Sequence, residues 1–485
     1  AVSQTPVAKI SDVVGRVEMY AFCVFLYTLG YIITASAQSI YAYAAGASIN
    51  VLGITSLFLL QNIIIADISS LRNRLFWSIF PSLPGTINVW VSGNISQDLL
   101  GARNEHASKW RWGIGMFCIL IPFLATPIML TLGIGMRKSK KEGHDTRRTR
   151  GKTVWEKIQS IFWTIDLIGL VLLVAGFGMT LTIITIARQA GGSWSAPHSV
   201  GLLTAGGVGI VSFVLWEIFG APHPIIPLSL LTNRTVIICF ILVVLHPCAG
   251  GVIGSYFYTY LLVAGNESTL SATRITSIAS FTSTWTALFM GVLVRKVRYL
   301  KPIILFGFVI EVLAFGLMIR YRNSGATQGD LAGVQFLRGV GSGSISFPVQ
   351  AAIQSVVKHE HLAAITAGML TVFYISQGVG SAIGGSIWSN YVPEKMNAYI
   401  SNSTIAHQAY ASPLGLISQY APGTEIRDAM SRAQGETQRI LSITGCCLAA
   451  AGLVVACFLE MVKLTDDVTL KEVEERDEKQ GGQKA

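Results

Sequence analysis

The chain has 485 residues, of which 51% are hydrophobic and only 13% are charged. Its mean hydropathy of +0.54 is far above that of a soluble domain of this length. The formal net charge of +10 comes mainly from basic residues clustered in short polar segments, which does not fit a nucleic-acid-binding surface. The composition excludes an ordinary soluble protein and favours one that crosses a lipid bilayer many times.

Long apolar segments recur along the whole chain. A bilayer core about 30 Å thick needs roughly 20 apolar residues per helical span. By this criterion we predict twelve spans, at residues 17–37, 42–67, 76–91, 112–136, 162–187, 200–219, 236–263, 275–294, 302–319, 331–357, 362–388 and 440–462. The third span is the shortest and contains Pro81 and Pro84. The sequence thus predicts an all-α polytopic membrane protein with about twelve visible spans.

The distribution of basic residues predicts the orientation of these spans. The segment 137–160 contains nine lysines and arginines, and such segments tend to stay on the cytoplasmic side of a membrane. Alternating spans then place the sequons at Asn94, Asn266 and Asn402 on the opposite side, where glycosylation takes place. A fourth sequon, at Asn233, falls on the cytoplasmic side. Both signals predict the same topology, with a cytoplasmic C-terminus.

The segment 8–16, with the sequence AKISDVVGR, resembles the loop signature G-x-L-x-D-x-x-G-R-[KR] of major facilitator transporters. In that superfamily the loop joins the second and third spans on the cytoplasmic side. Because only seven residues precede it, the resemblance implies that the first two spans of the fold are absent from this sequence. It also implies that Asp12 and Arg16 form a charge-assisted pair that latches two bundles together in one state. Ala8 and Val17 depart from the signature, and an ordinary helix-capping loop is the alternative.

Two further segments resemble the fungal siderophore–iron transporters, a fourteen-span branch of the major facilitators. Residues 60–74, LQNIIIADISSLRNR, are similar to the exit of the fourth span, and residues 374–393 are similar to the penultimate span. The resemblance implies the major facilitator fold, with two helical bundles and two extra central spans between them. The implied units are an incomplete N-terminal bundle (1–136), a basic cytoplasmic loop (137–160), two central spans (161–220), a C-terminal bundle (221–462) with an external loop (389–437), and a cytoplasmic tail (463–485).

Polar side chains at membrane depth are costly unless they are paired or face water, so they are candidates for a substrate cavity. Five polar residues at steps of four follow one face of the span 331–357. In the span 236–263, His246 and Pro247 precede two glycines, and we expect a kink or an unwound segment there. The cavity candidates are Asn50, Gln61, His246, Tyr256, Arg338, Ser346, Gln350, Gln354, Tyr374 and Gln377. The alternative role for these side chains is hydrogen bonding between helices.

Glu311 lies ten residues into its span, near the middle of the membrane, where a carboxyl group is suited to hold a coupling proton. His246 is the second candidate for this role. For both residues a plain hydrogen bond to a neighbour is the alternative. The gating candidates, at the cytoplasmic ends of spans, are Asp12, Arg16, Asp67, Arg72 and Arg74. We expect Asp67 to pair with Arg72 or Arg74.

Nothing in the sequence indicates catalysis or a metal site. All seven cysteines lie inside predicted spans, and no CxxC pair has metal-ligand spacing. The motif His359-Glu360-His361 lacks the i, i+4 spacing of a helical zinc pair. We therefore expect neither an enzyme nor a directly bound cofactor. On the resemblance, iron would arrive inside a siderophore chelate, and protons would be the coupling ion.

The resemblance implies a proton-coupled importer of ferric siderophores in the plasma membrane or an endosomal membrane. Its expected partners are a ferric siderophore or similar small molecule and the lipid bilayer, without nucleic acid, and the protein is expected to be monomeric. A fourteen-span drug:proton exporter is an alternative, although residues 80–88 do not match the G-x-x-x-G-P-x-x-G-G run of such exporters. A glutathione:proton exchanger is another. Outside transport, the alternatives are a membrane sensor that transports nothing and an inactive fragment.

Overall fold

The computed structural model describes residues 4–100, 109–141, 163, 165–186, 194, 196–222, 224, 232–322, 326–357, 362–461 and 464. The regular elements within these residues are helices. Ten of the described helices are long and apolar enough to cross a membrane. The chain is thus an all-α polytopic membrane protein, as its composition predicts.

The first part of the chain contains a short helix, α1, and the helices of an N-terminal bundle, α2 to α7. Their bounds are α1 (Gln4–Val14), α2 (Arg16–Ser36), α3 (Ile40–Ile68), α4 (Leu71–Ile79), α5 (Leu83–Leu100), α6 (Lys109–Gly115) and α7 (Phe117–Lys141). A single 3₁₀ turn, Phe80–Ser82, separates α4 from α5. A proline has no N–H group to donate and clashes with the preceding turn of a helix. The helix is therefore interrupted within the third predicted span, where Pro81 and Pro84 lie.

Two helices, α8 (Leu167–Ile186) and α9 (Pro197–Leu215), form a central hairpin, and a π-helical turn at Trp216–Gly220 follows α9. The remaining helices form a C-terminal bundle. They are α10 (Arg234–Gly254), α11 (Phe257–Val263), α12 (Thr269–Val297), α13 (Lys301–Tyr321), α14 (Gln328–Ser355), α15 (Leu362–Tyr399), α16 (Ser403–Ala411), α17 (Pro413–Ile417) and α18 (Glu425–Cys457). Each of the twelve predicted spans overlaps one helix or two successive helices, but the helices at 76–91 and 331–357 are not among the ten long apolar ones.

The break in the first long helix of the C-terminal bundle differs from the expected one. α10 continues through Pro247 and the two glycines that follow, as far as Gly254. The break comes at Tyr256, whose φ of 59° lies in the left-handed region, and α11 begins directly afterwards. A helix within a bundle tolerates a proline when neighbouring groups satisfy the freed carbonyl. The chain is therefore helical at Pro247 and interrupted nearer to the end of the span.

The segment 389–437, predicted to be a long external loop, is mostly helical. α15 runs through its first part and α18 through its last part. Trp388, Val392 and Met396 are buried in a small core against α18, and their spacing of four continues the apolar face of α15. The predicted bounds were wrong because this repeat extends the helix beyond the span. The connection is confined to residues 400–424, which contain the short helices α16 and α17.

Two predicted polar segments lie largely outside the described residues. In the basic loop 137–160, the structure describes the chain as far as Lys141, where α7 ends. In the tail 463–485 it describes Leu464, whose N–H group donates to the carbonyl oxygen of Arg298 at 2.9 Å. The predicted functions of both segments stay predictions.

The sequons at Asn94, Asn266 and Asn402 lie at one end of the molecule, which we call the sequon end. Asn94 is near the end of α5, Asn266 lies between α11 and α12, and Asn402 lies between α15 and α16. At this end Arg427 Nη2, near the start of α18, donates to the carbonyl oxygen of Leu262 in α11 at 3.0 Å. Gly93, next to Asn94, approaches Leu270 near the start of α12, so the segments that carry Asn94 and Asn266 lie at the same end.

The opposite end, which we call the basic end, joins the two bundles. Arg72 Nε in α4 donates to the carbonyl oxygen of Arg295 in α12 at 3.0 Å. The guanidinium of Arg295 lies 4.0 Å from the ring centroid of Phe76. Thr5 Oγ1 in α1 is 3.4 Å from Thr371 Oγ1 in α15. The short helix α1 therefore contacts the C-terminal bundle at the basic end.

Candidate functional site

A cluster of polar side chains is buried inside the C-terminal bundle, where α10, α13 and α14 pack together. His246 comes from α10, Glu311 from α13 and Ser346 from α14, and all three are in hydrogen-bond contact. Glu311 is only 1% exposed. Each residue lies well inside its helix, far from both ends. We call this cluster the His–Glu site, and it lies at membrane depth.

The histidine and the glutamate form a direct pair. His246 Nδ1 is 2.9 Å from Oε1 and 3.0 Å from Oε2 of Glu311. A carboxylate only accepts hydrogen bonds, so the Nδ1–H group donates to its two oxygens. The two residues singled out as proton-coupling candidates, which are 65 positions apart in the chain, therefore form one unit.

Two hydroxyl groups complete the surroundings of the imidazole. His246 Nε2 is 3.1 Å from Ser346 Oγ and 3.4 Å from Ser342 Oγ. A hydroxyl group donates to a neutral imidazole nitrogen and accepts from a protonated one. The fully buried ring of Phe308 meets the imidazole edge-on, at 6.3 Å between centroids. Both protonation states of His246 therefore find hydrogen-bond partners in the same position.

Arg338 adds a second charged group to the site. It is half-buried on α14, and its Nη2 lies 3.4 Å from the carbonyl oxygen of Gly250. Its charge interacts with that of Glu311. Charged groups at this depth interact strongly, because the dielectric constant there is low.

The rest of the polar stripe on α14 contacts other elements. Gln350 Nε2 donates to Asn62 Oδ1 of α3 at 3.0 Å, which connects the two bundles at depth. Gln354 Nε2 donates to Thr366 Oγ1 of α15 at 2.9 Å. The stripe is thus divided: its first three members surround His246, and its last two hold helices together.

Asn50 and Gln61 share one face of α3, as their spacing predicts, and this face is turned towards α2. Asn50 Nδ2 donates to the carbonyl oxygen of Tyr27 at 3.2 Å. Gln61 hydrogen-bonds the side chain of Tyr20. In this structure both amides connect helices within the N-terminal bundle.

The three remaining cavity candidates lie on α15 and at the break between α10 and α11. The ring of Tyr256 stacks on that of Trp388, with 4.7 Å between centroids and 3° between planes. Both rings line a cavity of about 410 Å³ at the sequon end. Tyr374 is half-buried and Gln377 is exposed. The backbone of Gln377 packs against Gly251 of α10, close to the level of the His–Glu site, whereas Tyr256 lies nearer to the sequon end.

Among the gating candidates, the structure brings Arg16 and Asp67 together. Arg16 Nε is 3.1 Å from Asp67 Oδ2, and both side chains are partly exposed. Arg16 Nη1 also donates to Ser11 Oγ at 3.4 Å. The side chain of Asp12, the expected partner of Arg16, lies outside the described residues. The ion pair joins α2 to α3 at the basic end.

Arg72 and Arg74 lie next to this ion pair. Arg74 is buried, with 2% of its side chain exposed, and its Nη2 donates to the carbonyl oxygen of Ala66 at 3.0 Å. Its charge interacts with that of Asp67. Arg72 reaches the backbone of Arg295 in the other bundle. The gating candidates whose side chains are described, Arg16, Asp67, Arg72 and Arg74, therefore lie together at the basic end.

The asparagines of the sequons are all exposed. Asn402 also caps α16, since its Oδ1 accepts from the N–H group of Thr404 at 3.0 Å. Asn233 caps α10 at the basic end in the same way, through the N–H group of Thr235 at 2.9 Å. The structure thus places three sequons together and the fourth at the opposite end.

Sequence reasoning missed two residues that hold the site in place. Asn62 follows the candidate Gln61 directly, but successive helix residues point to different sides, and Asn62 faces the other bundle. Arg322 ends α13 and is only 2% exposed; its Nη1 bonds the carbonyl oxygen of Ile253 at 3.0 Å and Gln438 Oε1 at 2.9 Å. The only available signal was a polar residue near an apolar segment, which does not distinguish a buried side chain from one at the surface.

The family model described as the fungal trichothecene efflux pump (TRI12) matches residues 1–453. The chain belongs to this family of the major facilitators. Siderophore iron transporter 1 of Saccharomyces cerevisiae is 32% identical over 479 residues, 97% of this chain and 75% of that protein. Siderophore iron transporter mirC of Emericella nidulans is 31% identical over 454 residues, 91% of this chain and 73% of that protein. The resemblance inferred from residues 60–74 and 374–393 is confirmed.

A solved structure of a bacterial homologue of the human lysosomal transporter Spinster, in an inward-facing and occupied conformation, is also similar. It has a TM-score of 0.44 and 13% identity, and the match covers 93% of this chain and 84% of that chain. A likeness at this distance adds nothing to the family assignment. The relatives are transporters by name, and the expectation that the chain is not an enzyme agrees with them.

Proposed function

We propose that this protein is a proton-coupled importer of ferric siderophores, acting in the plasma membrane or an endosomal membrane. The substrate class is supported by the siderophore iron transporters to which the chain is similar. The observation on which proton coupling rests is the buried contact between His246 and Glu311. A titratable pair at membrane depth is a candidate functional site by default, because ionisable groups are costly to place there.

In the proposed cycle, one proton enters the His–Glu site and changes the charge beside Arg338. The serine hydroxyl groups of α14 follow this change by switching between donating to and accepting from His246. One and two helical turns further along α14 lie Gln350 and Gln354, and Gln350 bonds the other bundle through Asn62. α14 therefore connects the proton site to the contact between the bundles. Coupling of proton binding to bundle movement requires an element that both sites share and that has two arrangements, and α14 is the candidate for this element.

The proposed substrate brings its own iron ligands. A ferric siderophore arrives as a complete chelate, so the protein needs to recognise the outside of the chelate rather than the metal. Within the described part of the chain, no three His, Cys, Asp and Glu side chains are grouped so that they could hold a metal ion. We accordingly propose that the protein binds no cofactor directly.

The proposed orientation has the basic end and the C-terminus in the cytoplasm. It is supported by the common location of the sequons Asn94, Asn266 and Asn402, and by the arginines at the opposite end. Siderophores would then enter from the sequon end. The cavity beside Tyr256 and Trp388 lies at that end.

The intact protein should be tested in an iron-starved fungus without siderophore uptake of its own. We expect it to accumulate radioiron supplied as ferrichrome, ferrioxamine B or another siderophore type, and a protonophore should abolish this accumulation. Absence of uptake for every chemical type would contradict the substrate class. Uptake that a protonophore leaves unchanged would contradict proton coupling but not the substrate class.

Export is a second candidate, because the matching family model is described as an efflux pump. The same cells distinguish the two directions. Cells preloaded with labelled ferrichrome or with a labelled trichothecene should retain it if the protein imports. Accelerated loss that depends on the protein would favour export.

A further inference from the structure

The helix α1 contacts three separate parts of the molecule at the basic end. Thr5 faces Thr371 of the C-terminal bundle. Ser11 accepts from Arg16, which in turn pairs with Asp67 of the N-terminal bundle. Between them, Lys9 reaches towards the central hairpin. The loop signature that α1 resembles prescribes no residue type at the position of Lys9.

Lys9 is held by groups at the basic end of the hairpin. Its Nζ donates to the carbonyl oxygen of Pro224 at 3.2 Å, and its charge interacts with the carboxylates of Asp166 and Glu217. Burial lowers the pKa of Lys9, and the two carboxylates act in the opposite direction. A half-buried lysine with two acidic neighbours is not an ordinary exposed charge.

The hairpin is shaped to present these two carboxylates side by side. Asp166, 3% exposed, accepts from Trp216 Nε1 at 2.7 Å and from the N–H group of Gly169 at 3.2 Å. A Cβ atom at Gly169 would collide with Asp166 Oδ2 and lie 3.2 Å from Glu217 Oε1. The carboxyl groups of both residues therefore lie beside Gly169 of α8, which has no side chain. Two carboxylates this close repel each other, and Lys9 supplies the compensating charge.

The hairpin also contacts the C-terminal bundle directly. Leu181 and Thr185 of α8 face Gly378 and Gly385 of α15. α8 is therefore attached to α15 away from the basic end, close to Tyr256, whereas Lys9 ties α1 to the hairpin at the basic end. If the basic end opens by separation of α1 from α15, the contact of Lys9 with the hairpin must break.

We propose that Lys9 is a positioning residue of the transport cycle, which ties the central hairpin to α1 and so holds the basic end closed. The inference rests on the proposed transport function for its consequences, although the contact itself is independent of substrate. Loss of the Lys9 charge frees α1 from the hairpin, so that α1 can leave α15 while the hairpin stays in contact with it. The basic end therefore opens more readily in the absence of this charge.

The closure is measured by a disulfide between Thr5→Cys and Thr371→Cys in a cysteine-free background. We expect Lys9→Glu to slow formation of this disulfide about tenfold, in the range of coupling between two sites. Lys9→Gln should have a weaker effect in the same direction. The charge exchange Lys9→Glu with Glu217→Lys should restore most of the rate. An unchanged rate in Lys9→Glu, or no recovery in the exchange variant, would overturn the proposal.

The matched control is Lys301→Glu, because Lys301 also bonds a carbonyl oxygen at the basic end, that of Cys457 at 2.8 Å, but far from α1. Lys301→Glu should leave the rate of disulfide formation unchanged. If it slows the rate as much as Lys9→Glu does, the effect comes from the net charge of the basic end and not from the Lys9 contact, which would contradict the inference. Uptake of labelled ferrichrome is measured in parallel. If the wild-type protein takes up no siderophore while the disulfide responds as expected, the proposed function fails and the role of Lys9 stands.

Discussion

At the scale of single residues, His246 and Glu311 illustrate how polar groups exist at membrane depth. Each alone would be expensive to bury. Together they satisfy one another at 2.9 Å, and Ser346 satisfies the remaining imidazole nitrogen. Arg338 balances the carboxylate charge nearby. The hydrogen-bonding groups of the pair are therefore satisfied within the protein, away from water.

Glu311→Gln should separate substrate binding from accumulation. Glutamine keeps the shape and a hydrogen-bond acceptor for His246 but does not ionise. We expect siderophore binding to membranes to be retained and proton-driven uptake to fall roughly a hundredfold, at the lower end of what a positioned proton-transfer group contributes. Labelled ferrichrome binding and initial uptake rates measure the two quantities.

The control for this substitution is Glu436→Gln at the sequon end. Glu436 pairs with Lys395 at 3.2 Å and accepts from Tyr399 at 2.9 Å, outside the His–Glu site. Its removal should leave uptake nearly unchanged. Undiminished accumulation in Glu311→Gln would exclude Glu311 as the proton site.

At the scale of elements, the contact between α10 and α15 depends on a glycine. Gly380 packs against the backbone of Cys248, and a Cβ atom there would collide with its carbonyl oxygen. Two helices that approach so closely gain van der Waals and Cα–H···O contacts along their length. The small-residue repeat Gly380-x-x-x-Gly384 is thus used inside the bundle, since Gly384 faces Val252 and Ser255 of the same α10 region.

Gly380→Ala should destabilise the protein by about 1–3 kcal/mol, because overpacking against a backbone atom forces the helices apart. Gly316→Ala in α13 is the matched control, since nothing lies within 4 Å of a Cβ atom built there. It should be neutral or slightly stabilising, because alanine favours helix more than glycine does. Thermal unfolding of the purified protein in detergent measures both. Equal unfolding temperatures for the two variants would contradict the close contact.

Helix α15 extends beyond the end of the span predicted from hydropathy. The apolar repeat of Trp388, Val392 and Met396 continues past the span and is buried against Met430 and Ala433 of α18. Hydropathy alone ends the span where polar residues begin. Helical periodicity continues, because the partner surface is protein rather than lipid. Periodicity was therefore the better guide to this helix end than mean hydropathy.

At the scale of the whole molecule, contacts at three depths link the bundles. Arg72 bonds the backbone of Arg295 at the basic end, and Gln350 bonds Asn62 further inside. On the sequon side, Trp90 of α5 meets Phe281 of α12 edge-on at 5.6 Å. α5 and α12 are therefore a seam between the bundles, whereas the polar contacts are concentrated towards the basic end.

The proposed orientation predicts which sequons are modified. In a fungal host we expect glycans at the sequon end, so that substituting Asn94, Asn266 and Asn402 together by Gln increases gel mobility to that of the enzymatically deglycosylated protein. Asn233→Gln should cause no change, because Asn233 lies at the basic end. Gel mobility before and after endoglycosidase treatment measures this. A glycan on Asn233 would contradict the proposed orientation and indicate the opposite one.

The sequence by itself determined the membrane class, the positions of the twelve apolar segments and the family, because hydropathy and a few local motifs depend only on neighbouring residues. It also selected Glu311 and His246 singly, since a titratable group in an apolar segment is conspicuous. Only the tertiary structure decided that these two touch, that Gln350 meets Asn62, and that Lys9 faces Asp166 and Glu217. Such pairings depend on how helices distant in the chain are rotated and packed against one another, which no local pattern specifies.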